Sequence, residues 1–235
     1  METLYIVIPA YNEEENIDAV ARQWHKIVDR VGSESRLVII DDGSKDSTYN
    51  KLCSLQQELP RLVPLTKENG GHGATLLFGY HYALENGADY IFQTDSDGQT
   101  DPAEFKDFWD LREKQDVIIG CRNKREDGLS RVFVTKVLKI VLRFIFGLNI
   151  ADANTPFRLM TREVLQKHIV NVPKDFNLSN VMLTVLFIHH KERVQFLPIT
   201  FKERQGGVNS INIPKITKIG IQAVKDFRQI KKAMK

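Results

Sequence analysis

The chain has 235 residues, 42% apolar and 27% charged, an ordinary composition for one large globular domain or two small ones. No apolar run approaches the roughly eighteen uncharged residues of a spanning helix, and the start METLYIVIPAYNEE lacks the basic region and small-residue cleavage site of a secretory leader. Cys53 and Cys121 stand far apart without CxxC or Cys/His spacing, which argues against a disulfide framework or a zinc site and for reduced thiols in the cytoplasm. The formal charge of +3 is uneven: residues 202–235 hold nine Lys or Arg and two acids, a net +7, which leaves −4 for residues 1–201. A basic end of this kind either faces an anionic partner or forms a solvated helix.

In chain order, the apolar runs LYIVIP (4–9), RLVIID (36–41), RLVPLT (61–66), DYIFQT (89–94) and DVIIGC (116–121) alternate with helix-length segments at about 13–30, 46–58, 72–86 and 101–114. That βαβ rhythm, with fully apolar strands, predicts an α/β fold: a mostly parallel sheet covered by helices on both faces. No internal repeat or Pro/Gly-rich linker divides the chain. The rhythm breaks after Cys121, where RNKREDGLS leads into VFVTKVLKIVLRFIFGL, a helix whose charges Lys136, Lys139 and Arg143 share one narrow face. It is either a core helix with a solvated stripe or an interfacial helix with its apolar side on lipid. A second basic amphipathic pattern runs through the tail, with Ile216, Ile219, Ala223, Phe227 and Ile230 on one side and Lys215, Lys218, Lys225, Arg228, Lys231 and Lys232 largely on the other.

In open α/β sheets, ligands bind beyond the carboxyl ends of the strands. The polar motifs stand there: Pro9-Ala10-Tyr11-Asn12-Glu13, Asp41-Asp42-Gly43-Ser44, Lys67 to Gly73, and Asp95-Ser96-Asp97-Gly98-Gln99. Acids as close as Asp95 and Asp97 repel unless something positive lies between them. Together with the Gln99 carbonyl and substrate phosphates they suit Mg2+ or Mn2+. An EF-hand does not fit, since Gly98 is fourth from Asp95 and the twelfth position is Lys106, and Gln99 replaces the threonine of DxDxT. Asp101 before Pro102 suits a helix cap. NGGHG matches neither the P-loop nor GxGxxG, and its glycines suit close helix packing. His72, His189 and His190 read as structural or exposed.

The set PAYNEE, DDGS, NGGHGA and DSDGQ, each after a strand, resembles the family 2 glycosyltransferases with a GT-A fold, firmly over about 1–122. DANTPFRL (152–159), FKERQGG (201–207), Gly120-Cys121-Arg122 and Arg131 are similar to segments of the polyprenyl-phosphate sugar synthases of that family. The resemblance implies one continuous domain, with residues 1–122 holding the nucleotide sugar and residues 123–235 the acceptor and membrane-interface helices. By the same resemblance, Pro9, Ala10, Tyr11, Glu13, Asp41, Asp42 and Asp95 bind the donor, and Asp95, Asp97 and Gln99 hold the metal. Arg122, Arg131 and Arg204 gather around the acceptor phosphate, a task that suits the planar guanidinium. Asp97 and Arg204 are the catalytic pair. Thr155-Pro156 replaces the usual Ser-Gly, and GGVNSIN after Arg204 replaces the commoner GESK.

The expected reaction is inverting transfer from a UDP- or GDP-linked sugar to a polyprenyl phosphate, with metal and arginines taking up charge on the departing diphosphate. The expected setting is cell-envelope glycan synthesis at the cytoplasmic membrane face, through the protein's own helices or an integral partner, with no nucleic acid involved. A hydroxyl acceptor would need a general base. The segment Asp175-Phe176-Asn177-Leu178-Ser179-Asn180 offers only Asp175. The alternatives are a soluble transferase extending a polysaccharide or glycolipid at a hydroxyl, and a transferase-like module that binds without turnover.

Overall fold

The computed structural model describes residues 2–122, 129–202, 222, 224–228 and 231, with residues 129–134 described by backbone alone. The first half alternates as the apolar runs predict: β1 (Leu4–Ala10), α1 (Ile17–Val31), β2 (Arg36–Asp41), α2 (Thr48–Gln56), β3 (Leu62–Thr66), α3 (His72–Glu85), β4 (Tyr90–Thr94), α4 (Phe105–Trp109) and β5 (Val117–Arg122). There follow α5 (Leu129–Phe146), β6 (Phe157–Thr161), α6 (Arg162–Ile169), α7 (Ser179–His189) and β7 (Val194–Ile199).

The helix expected over 101–114 is shorter. A 3-10 turn at Pro102–Glu104 leads into α4. Beyond Trp109 the chain tightens into i→i−3 bonds, and the Arg112 guanidinium takes the Trp109 carbonyl at 3.0 Å. Most of the expected tail helix lies outside the described residues, but 224–228 are helical. Phe227 there is fully buried, with its ring 5.8 Å from Phe146 and 5.9 Å from Phe176. Lys231 donates to the Ile145 carbonyl. Phe227 and Lys231 thus lie against the end of α5.

The strands form one seven-stranded sheet in the order β3-β2-β1-β4-β6-β5-β7. β1 runs parallel to β2 and β4, β2 to β3, and β5 to β7, while β6 lies antiparallel between β4 and β5. Alternate side chains build two cores, as the period of two in a strand requires. Leu4, Ile6, Ile8, Leu37, Ile39 and Phe92 meet α1 and α4 on one face. Tyr5, Val7, Val38, Ile40 and Ile91 meet α3, α5, α6 and α7 on the other. On the first face Trp24, Phe92, Phe105 and Phe157 interlock, with Phe92 and Phe157 edge to face at 4.7 Å. Such pairs add about 0.5–1.5 kcal/mol each beyond the area they bury. They fix the strand that carries the acid turn and the helix that follows it.

Candidate active site

The chain steps outward from β1 through β2 to β3 and then returns to β4 on the other side of β1. That reversal opens a crevice at the carboxyl ends of the strands. The register brings Ala10 beside Asp41 and ends β4 alongside β1, so PAYNEE, DDGS and DSDGQ share one rim.

The first two loops are cross-braced. Asn12, at a φ of 53°, donates its N–H to Ser44 Oγ at 2.9 Å and accepts from the Lys45 N–H through Oδ1 at 2.8 Å. Glu13 is buried; its N–H donates to Thr48 Oγ1 and its carboxylate accepts from Asn16 Nδ2, both at 2.9 Å. Asp41 accepts from the Thr66 hydroxyl at 3.0 Å and the Ser44 N–H at 3.3 Å. Pro9 and Ala10 are buried, and Tyr11 is partly exposed at the edge. Gly43 has a φ of 68°, and a Cβ there would lie 2.9 Å from the Asn69 amide nitrogen, so the turn between the two loops excludes a side chain.

Asp42 organises the glycine loop. Its carboxylate accepts from Lys67 Nζ at 2.5 Å and from the N–H groups of Gly70 and Gly71 at 2.9 Å each. Burial pushes its pKa up, but the Lys67 ammonium and these hydrogen bonds outweigh burial and hold it below the ordinary carboxylate value. The close-packing reading of the glycines holds at Gly73, where a Cβ would lie 2.1 Å from the Phe176 carbonyl. His72, read as structural or exposed, is half exposed and joins the rim, with Nε2 3.0 Å from Asp95 Oδ1. Burial draws the imidazole pKa down. The Asp95 carboxylate beside it, helped by Asp97 and Asp42, more than reverses this and raises it above the ordinary value. The loop is therefore held by Asp42 at one end and Asp95 at the other.

Asp95 Oδ1 also accepts from Gln93 Nε2 at 3.3 Å, and among the described residues no hydrogen bond engages Oδ2. Asp97 Oδ1 accepts from the Gln99 N–H at 3.1 Å, closing a turn around Gly98, whose φ is 72°. Gln99 is buried; its Nε2 donates to the Lys202 carbonyl and its own carbonyl accepts from the Lys202 N–H, both at 2.8 Å. No hydrogen bond among the described residues engages its amide oxygen. This donor set of carboxylates and an amide oxygen fits a hard divalent cation. Among the described residues no three His, Cys, Asp or Glu gather into a metal-binding cluster. Asp101 is the cap expected of it, accepting from the Ala103 N–H at 3.0 Å and pairing with Lys202 at 2.9 Å.

Arg122, at the end of β5, forks onto Asp152 at 2.8 and 2.9 Å, with its guanidinium carbon 5.1 Å from the centre of the Phe201 ring. Phe201 in turn pairs with Thr100 beside the acid turn. Arg131 falls in the first turn of α5, where side chains are not described, and Arg204 lies outside the described residues.

The glycosyl transferase family 2 profile matches residues 5–169, well over half of the chain. The chain belongs to that family. This glycosyltransferase is 29% identical over 216 residues to polyprenol monophosphomannose synthase of Mycolicibacterium smegmatis, covering 88% of the present chain and 80% of that one. It is 25% identical over 197 residues to undecaprenyl-phosphate 4-deoxy-4-formamido-L-arabinose transferase of Salmonella paratyphi B, covering 80% of the present chain but only 59% of that protein's length. Among solved structures, glucosyl-3-phosphoglycerate synthase of Mycobacterium tuberculosis, in complex with Mn2+, UDP and glucosyl-3-phosphoglycerate, superposes with a TM-score of 0.73 at 16% identity, over 97% of the present chain and 80% of that one. S. aureus TarS 1-349 with UDP-GlcNAc gives 0.63 at 18% identity, over 97% and 66%. These likenesses establish a GT-A-like fold.

Four site features of this glycosyltransferase escaped sequence reading: the contact of His72 with Asp95, the Lys67 pairing with Asp42, the Asp152 pairing with Arg122, and the buried amides Gln93 and Asn180 behind Asp95. Gln93 alone carried a visible signal, a lone amide after the apolar run Tyr90-Ile91-Phe92. The others depend on contacts between distant elements.

Proposed function

We propose that this glycosyltransferase moves a sugar, with inversion, from a UDP- or GDP-linked donor to a polyprenyl phosphate. The observation that carries the reading is Asp95 at the switch point, with one oxygen anchored by His72 and Gln93 and the other without a hydrogen bond among the described residues. Asp95 and Asp97, with the Gln99 amide oxygen, would hold Mg2+ or Mn2+, which supplies Lewis-acid neutralisation of the donor diphosphate. Pro9, Ala10, Tyr11, Glu13, Asp41 and Asp42 form the donor cradle in this reading. Glu13 and Asp41 are buried and hydrogen-bonded there, so the cradle is braced by the protein's own contacts. Asp42 acts on the donor through the loop it folds.

Residues 123–235 would supply the acceptor half. Arg122, fixed by Asp152, would meet the acceptor phosphate together with Arg131 and Arg204. A lipid phosphate is already an anion, so no general base is required, and the relatives named above are by name a polyprenol monophosphomannose synthase and an undecaprenyl-phosphate sugar transferase. Among the described residues no helix is long and apolar enough to cross a membrane. Attachment at the membrane surface would rest on α5, where Val137, Ile140 and Phe144 are exposed between Lys136, Lys139 and Arg143. The test is cleavage of UDP- and GDP-sugars with Mg2+ or Mn2+ by wild type and Asp97→Ala. Turnover that stops on chelation and falls at least about 100-fold in the variant supports the reading, and equal turnover in both proteins would refute the role of the acid turn.

A further inference from the structure

Behind Asp95, on the sheet face covered by α3 and α7, lies a file of buried polar side chains. The Tyr80 hydroxyl donates to Asn180 Oδ1 at 3.3 Å, Asn180 Nδ2 donates to Gln93 Oε1 at 3.0 Å, and Gln93 Nε2 donates to Asp95 Oδ1 at 3.3 Å. Tyr80, Gln93 and Asn180 are at most 2% exposed. The file can run in one sense only. A carboxylate accepts and cannot donate, so Gln93 must turn its NH2 toward Asp95. Its amide oxygen then faces Asn180 and demands that residue's NH2, which leaves the Asn180 oxygen for the tyrosine hydroxyl. Arg158, fully buried, donates to the Asn180 main-chain carbonyl at 3.1 Å and to Thr184 Oγ1 at 3.2 Å, fixing the first turn of α7 beneath the file.

Apolar side chains would fill this face without desolvating three polar groups, so satisfaction of the core alone does not account for the file. Its direction and its end point do. We infer that Gln93 and Asn180 are positioning residues for Asp95: through a donor chain acting in series they hold Oδ1, with His72 as the second clasp, and so present Oδ2 to the rim. The inference rests on the reading of Asp95 as a ligand to a divalent cation. Partners behind a metal ligand typically change metal affinity about 10- to 100-fold when removed.

The experiment titrates Mn2+ against the full chain in the presence of UDP and, separately, GDP, by calorimetry and by the loss of free Mn2+ paramagnetic signal. Wild type is compared with Gln93→Met, Asn180→Asp and the double variant, and each metal-free protein is also melted. Asn180→Asp keeps the shape but faces Gln93 with an acceptor, which should turn the amide over. Each single variant is expected to weaken Mn2+ about 10- to 100-fold, and the double variant no further than the weaker single, because the links act in series. Tyr80→Phe removes only the far hydroxyl, is expected to give a smaller loss of the same kind, and keeps the test open if the interior variants fail to fold. Unchanged Mn2+ affinity with a lowered melting temperature would overturn the inference in favour of a purely structural file. Losses that multiply in the double variant would overturn the series arrangement. Wild type that binds no Mn2+ with either nucleotide would instead overturn the metal reading, and this inference with it.

Discussion

Asp42 is a single buried carboxylate that folds the loop beside the candidate site. Its two oxygens are committed to Lys67, Gly70 and Gly71, and the glycine loop they shape delivers His72 to Asp95. Replacing it with asparagine would set an NH2 against an ammonium or a backbone N–H. The loss of charged hydrogen bonds is expected to cost roughly 1.5–3 kcal/mol, read as a lower melting temperature. A raised donor KM is expected with it, because the loop no longer braces the acid turn. At this scale the sequence disclosed chemical types better than partners. Asp95 and Asp97 stand out because clustered acids need a counter-charge, and Asp101 because a cap precedes a proline. His72 gave no such sign, since its partner is 23 residues away and joined to it only by the return of the chain to β4.

At the scale of elements, the first five strands fall within a residue of their apolar runs, because a strand covered on both faces has no polar alternation to blur its ends. β6 and β7 were not anticipated as strands. FRLMT carries Arg158, whose burial becomes tolerable only when carbonyls of Ala153, Thr155 and Asn180 surround it. VQFLPI contains a proline, which sits at the sheet edge, where a missing N–H is tolerated. The lopsided helix is a core helix on one side and carries exposed apolar side chains on another. Leu142, Leu138, Val141 and Ile145 pack into the core, while Phe144 is 83% exposed, Ile140 54% and Val137 41%. Substituting aspartate at both Ile140 and Phe144 is therefore expected to shift the melting temperature by no more than about 4 °C, since exposed changes stay within about ±0.5 kcal/mol each. Co-sedimentation with vesicles containing anionic lipid is expected to fall sharply. Undiminished sedimentation would contradict the proposed attachment through α5.

For the whole molecule, an acid-sensitive cluster lies at the end of the sheet opposite the rim. Away from the rim, Glu192 just before β7 accepts from His168 of α6 and from Lys167, both at 2.7 Å. Burial pulls the His168 imidazole below its ordinary value of 6.5, against the pull of Glu192. Burial pushes the Glu192 carboxyl up, but Lys167 and His168 bring it below its ordinary value. Both groups are harder to protonate folded than unfolded. Each therefore contributes stability above its unfolded pKa and loses it as pH falls through the folded one. The melting temperature is expected to drop between about pH 7 and pH 5 as His168 is forced to take a proton. That drop should flatten in His168→Gln, which keeps a donor for Glu192 but does not titrate; an equal slope in the variant would place the acid sensitivity elsewhere.

The most direct measurement is transfer of labelled sugar from UDP- and GDP-linked donors to a short-chain polyprenyl phosphate in the presence of Mn2+, set against saccharide acceptors under the same conditions. Metal-dependent appearance of a lipid-linked product, with no transfer to the saccharides, is the expected result. Transfer to a saccharide hydroxyl with indifference to the lipid phosphate would contradict it.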